Sequence, residues 1–155
     1  MPFPATQVLD DFDRPNENPL NSAGRYLRID VSTINDMQIL NKRCTAATGQ
    51  GASAWMVQSF TNFEVFATTE AFAAASNRLY GRLAGVGGSN TYDGYRAIFT
   101  ASAASIAVIT NGSATNLVTG PTFTINDGSV CLFRGIGTKL ECFFFSGGSW
   151  TLAAA

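Results

Sequence analysis

The sequence predicts an all-β chain whose strands pair antiparallel as a sandwich or barrel. Three observations carry this. Short runs of β-branched and aromatic residues recur through most of the chain. Clusters of turn-forming residues separate them, among them Asn111-Gly112-Ser113 and Asn126-Asp127-Gly128-Ser129. Of the 155 residues 46% are hydrophobic, enough to fill the core between two layers.

Met1-Pro2-Phe3-Pro4 predicts an extended arm, because each proline blocks helix and disturbs strand pairing. The arm is assigned to residues 1–7 and a single domain to 8–155. Val8 and Leu9 start a short strand that breaks into a loop rich in Pro, Asn and Asp by Leu20. Tyr26 to Val31 alternates with period two. Ile34 to Leu40 is a further strand candidate, Cys44 to Gly51 reads as a loop, and Ser53 to Ser59 as a strand around Trp55 and Val57. Phe63 to Ala67 is β-branched and aromatic. The alanine-rich text between Thr69 and Tyr80 fits a short helix, over Glu70 to Ser76, or a loop equally well. Leu79 to Ala84, Tyr95 to Thr100, Ser105 to Thr110, Asn116 to Thr119 and Thr122 to Ile125 complete the strand series before the last hairpin.

That hairpin is Val130 to Arg134 with Lys139 to Phe145, closed around Ile136-Gly137-Thr138. With an even-numbered loop, antiparallel pairing puts Cys131, Phe133, Leu140, Cys142 and Phe144 on one wholly apolar face, the core side. The other face carries Leu132, Arg134, Ile136, Lys139, Glu141, Phe143 and Phe145. Two readings of it stand open: another part of the chain covers it, or a partner does, as its aromatic content suggests. An odd-numbered loop exchanges the two faces.

Several functions are disfavoured by composition. Charged residues make up only 14% of the chain and the net charge is −1. Binding nucleic acid takes a concentrated basic face, and the densest basic feature is the pair Lys42-Arg43. No run reaches the ~18–20 apolar residues of a membrane span, and the N-terminus has no signal-peptide pattern, so a soluble protein made in a cytoplasm is expected. Histidine is absent, which excludes serine or cysteine catalysis through a histidine base. Cys44, Cys131 and Cys142 cannot complete a zinc site of four thiolates and read as small, reduced, buried hydrophobes. No metal or cofactor is expected, and the chain reads as non-enzymatic.

The stretch from Asp11-Phe12-Asp13-Arg14-Pro15-Asn16 to Leu20 resembles the opening of concanavalin A-like (LamG-like) jelly-roll domains of bacteriophage structural proteins. Tyr80 to Ala84, Tyr92 to Arg96, Asn126 to Arg134 with Gly137-Thr138 and Leu140, and Gly147-Gly148-Ser149-Trp150 resemble later strands and turns of the same family. Two departures stand out. Asn21 to Tyr26 intervenes where the family has a Gly-x-x-Trp, and the family runs on past the Trp150 turn into a further closing strand. The resemblance implies a jelly-roll β-sandwich with Asp11, Phe12 and Arg14 at a structural corner. It also implies an unpaired sheet edge that a neighbouring subunit's arm could complete.

Asp10, Asp11 and Asp13 are clustered carboxylates, but the calcium-loop pattern with its distal Glu is missing, so turn capping is the expected role. Trp55, Tyr80, Tyr92, Tyr95 and Trp150 are either core and rim aromatics or a sugar-stacking platform. The expected function is that of a capsid decoration (cement) protein on the virion surface, a homo-oligomer, with a trimer favoured, bound to the major capsid protein. A carbohydrate-binding module of a tail component is the alternative. Met1, Pro2, Phe3 and Pro4 of the arm, with Leu132, Ile136, Phe143 and Phe145, are the candidate contacts.

Overall fold

A computed structural model describes residues 12–20, 26–28, 37–46, 53–55, 61–69, 76–85 and 91–155. Every regular element among them is a strand, and seven strand pairings among them are antiparallel. The described residues fall into two compact units.

The smaller unit holds β1 (Tyr26–Arg28), β2 (Met37–Leu40), β3 (Arg43–Ala46) and β4 (Ser53–Trp55). β1 pairs with β4, and β2 with β3. The β2–β3 turn is Asn41-Lys42, both at positive φ (53° and 62°), as a two-residue hairpin of the I′ type requires. Cys44 to Ala46, expected in a loop, therefore lies in a strand: the turn comes earlier than the Gly-rich text suggested. The chain from Phe12 to Leu20 runs beside this hairpin. Glu17 and Ile39 exchange backbone hydrogen bonds of 3.1 and 2.8 Å, and the Leu20 N–H donates to the Met37 carbonyl at 2.6 Å. Leu20, Ile39 and Tyr92 are its buried apolar residues.

The larger unit holds β5 (Phe63–Thr68), β6 (Asn77–Ala84, whose last residue falls in the smaller unit), β7 (Asp93–Phe99), β8 (Ala104–Thr110), β9 (Ser113–Thr119), β10 (Val130–Ile136), β11 (Lys139–Ser146) and β12 (Ser149–Ala154). They form two four-stranded sheets, ordered β12-β11-β10-β5 and β6-β7-β8-β9. One core joins them: Phe133, Cys131, Cys142 and Phe144 from the first sheet meet Leu79, Ala97, Phe99 and Ile106 from the second. This is an antiparallel β-sandwich. Jelly-roll connectivity places strands distant in sequence side by side, and the described sandwich contains one such pairing, β5 with β10.

Three two-residue turns set the registers. Asn111-Gly112 and Gly147-Gly148 have positive φ at both positions, and Gly137-Thr138 at the first. The β10–β11 loop is thus even-numbered, with Ile136 opposite Lys139, and Cys131, Phe133, Leu140, Cys142 and Phe144 all face the core. Thr122 to Ile125, expected as a strand, belongs to neither sheet. Pro121 has no N–H to donate, and the segment is held by Phe123 and Ile125 N–H groups donating to the Ser102 and Ala101 carbonyls at 3.0 and 2.9 Å. The expected helix position, Glu70 to Ser76, falls outside the described residues except for Ser76, which is in neither helix nor strand.

Candidate interaction surface

The outer face of the β5–β10–β11–β12 sheet is built in rows across the strands. One row runs Phe66, Leu132, Phe143, Leu152, and the next Thr68, Val130, Phe145, Trp150. A third row is charged, with Glu64, Arg134 and Glu141 side by side. Arg134 donates from Nε and Nη2 to Glu141 Oε2 at 3.0 and 2.6 Å, and Lys139 Nζ lies 2.7 Å from Oε1. Burial alone raises the Glu141 pKa, but the bonds and charges of Lys139 and Arg134 more than offset this, so its carboxyl titrates below the ordinary glutamate value. The Arg134 guanidinium also covers the Phe143 ring at 5.0 Å. Phe145 packs on Trp150 with ring centroids 5.2 Å apart.

This arrangement sorts the four expected contacts on the hairpin. Ile136, at the turn, is 54% exposed. Phe143 and Phe145 are half-buried. Leu132 departs from the expectation: it is 0% exposed, so the fold takes its side chain for packing and leaves it no open surface. Met1, Pro2, Phe3 and Pro4 lie outside the described residues.

The sequence reading missed the flank of the sandwich. The Phe63 ring lies against Gly81, which puts β5 beside β6 at one flank. The Gly120 backbone, just past β9, meets the Ala153 carbonyl of β12 so closely that a Cβ would sit 1.6 Å from it, which brings the chain leaving β9 onto β12 at the other. The first flank is closed by Arg82: its Nε donates to the Thr61 carbonyl at 2.7 Å and its Nη2 to the Gly137 carbonyl. Two edge strands, Ser113–Thr119 of one sheet and Ser149–Ala154 of the other, have no charge in either. Six of the seven β9 residues are exposed, and Leu117 and Leu152 are 54% and 50% exposed. No charged residue occurs anywhere from Ala97 to Asn126. Edge strands are ordinarily defended by lysines, prolines or inward charges. Here each edge carries one irregularity: between Ile106 and Ala107 on β8, where Leu117 has no partner, and between Cys142 and Phe143 on β11, where Ala153 has none. The signal was legible as that long uncharged stretch, but only the strand order shows that it ends on an edge.

The other candidates, where described, make local contacts. In the smaller unit Arg14 Nε pairs with Glu17 Oε2 at 3.2 Å, its guanidinium lies 5.8 Å from the Phe12 ring centre, and Asp13 Oδ1 meets Lys42 Nζ at 2.7 Å. Asn16 Oδ1 accepts the Asn41 N–H at 2.9 Å, tying this corner to the β2–β3 turn. Asp10 and Asp11 lie outside the described residues. No group of three potential metal ligands comes together among the described residues. Of the aromatic platform, Tyr95 packs against the sandwich core while Trp150 lies on the outer face of the other sheet, so these two share no surface. Cys131 and Cys142 are buried free thiols; burial raises both pKa values, that of Cys131 to about 11 despite a compensating contact with Thr69. Such thiols are protonated near neutral pH and poor nucleophiles.

Comparison of the chain with protein-family models, curated proteins and solved structures finds no match.

Proposed function

We propose that this chain is a non-enzymatic assembly subunit, a capsid decoration protein of a phage particle that acts by burying surface against copies of itself and the shell. The observation that carries the assembly reading is the pair of edge strands β9 and β12, one from each sheet: both are uncharged and each has a half-exposed leucine. Strand addition there satisfies edge N–H and carbonyl groups and removes apolar area from water at once. Burying the exposed half of a leucine contributes on the order of 1 kcal/mol, so contacts of this kind act by number, through multivalent attachment. The phage setting rests on the resemblance of Asp11 to Leu20 and the later motifs.

The test is quantitative mass spectrometry of purified particles together with sedimentation of the pure protein. A copy number matching the capsid lattice and an oligomer at micromolar concentration support the reading. A monomer that does not bind purified shells overturns it.

A further inference from the structure

We propose that Arg78 and Arg96 form an oxyanion-binding site on the outer face of the β6–β7 ladder, taking a phosphoryl or carboxylate group. Each residue follows from strand parity. Leu79 and Ala97 point into the core, so their neighbours Arg78 and Arg96 project from the opposite face, on adjacent strands. Gly94 lies against the carbonyls of Gly81 and Arg82, and counting along the antiparallel strands from there puts Arg96 opposite Tyr80, with Arg78 on the diagonal two residues further along the same face.

Among the described residues, the Nε atoms of these two arginines are the buried side-chain nitrogens with no hydrogen-bond partner. Neither guanidinium forms an ion pair with a described residue. Arginine cannot relieve this by losing its proton. Nor does the sheet supply a counter-charge. The sole acid in β6 to β9 is Asp93, whose Oδ1 accepts the Asn111 N–H at 2.8 Å. Arg96 stands opposite Ala107, which with Ile109 on the same face is almost wholly shielded from water. Two like charges on the diagonal of adjacent strands, each with an unmet donor, are matched by one group: an oxyanion whose oxygens accept from both forks. Both side chains are only half-buried, so such a group has access from solvent.

The test uses the full ¹⁵N-labelled chain and follows the arginine Nε–H resonances during titration with inorganic phosphate, with acetate, and with sodium chloride as control. The expected result is a saturable shift of the Arg78 and Arg96 signals with one midpoint. A response to phosphate alone assigns a phosphoryl source, and a response to acetate as well assigns a carboxylate. Arg96→Gln weakens binding about tenfold or more, the loss of one charge-assisted fork. Arg78→Lys keeps charge and stem but not the fork, and gives a similar loss in a variant that retains the fold. Unshifted resonances in both anions, shifts equal to those in sodium chloride, or unchanged binding in Arg78→Lys would each overturn the proposal, leaving only ordered water at these nitrogens.

Discussion

Phe63 fills the space that two glycines leave empty. It pairs across the strands with Gly135, packs its ring edge-on against Phe133 at 4.9 Å between centroids, and covers Gly81 on β6. A Cβ at Gly135 or Gly81 would come within 2.3 or 2.2 Å of its ring. Gly135→Ala is expected to lower stability by about 1–3 kcal/mol in chemical denaturation, the cost of overpacking. Adding Phe63→Leu should recover part of that loss; an additive double variant would show that ring and glycine are not coupled. Glu141 gives the pH dependence. Its folded pKa is depressed, so the stabilisation is complete above the ordinary glutamate pKa of about 4.3 and is lost as pH falls through the folded value. Melting curves should show stability falling in acid, and Glu141→Gln should be less stable by about 1–3 kcal/mol at neutral pH, because Arg134 and Lys139 lose the carboxylate they share, and shallower in its acid dependence.

At the scale of elements, the hairpins were the legible part. Asn111-Gly112 and Gly147-Gly148 announce two-residue turns through residues that tolerate positive φ, and period-two alternation then assigns faces. The β2–β3 turn was hidden because Asn41-Lys42 uses positive φ without a glycine. Thr122 to Ile125 has strand composition, yet its bonds go to a loop; composition records extended backbone, not a ladder partner. Leu132 misled for a related reason: alternation tells which face a residue is on, not what covers it. The β9 edge yields the prediction for this scale. Leu117→Lys, at a half-exposed position, should leave thermal stability within about 0.5 kcal/mol, as surface changes usually do. It should shift sedimentation toward monomer. An unchanged oligomer would place the contact elsewhere.

For the whole molecule, the all-β class followed from strand-sized runs and turn clusters, and the sandwich from an apolar budget that fills two layers. Which strands neighbour one another was not legible, since pairing of β5 with β10 depends on contacts that no local window contains. That pairing also shapes how the molecule is made. Leu132 meets Phe66 only after the four strands of the opposite sheet have been strung between them. On a ribosome, β5 emerges long before its neighbour exists, and closing so long a loop is among the slower steps available to a small domain. The newborn chain must therefore carry a naked apolar strand until translation reaches the C-terminal hairpins, and a polypeptide released before Val130 should be captured by chaperones or proteases rather than persist.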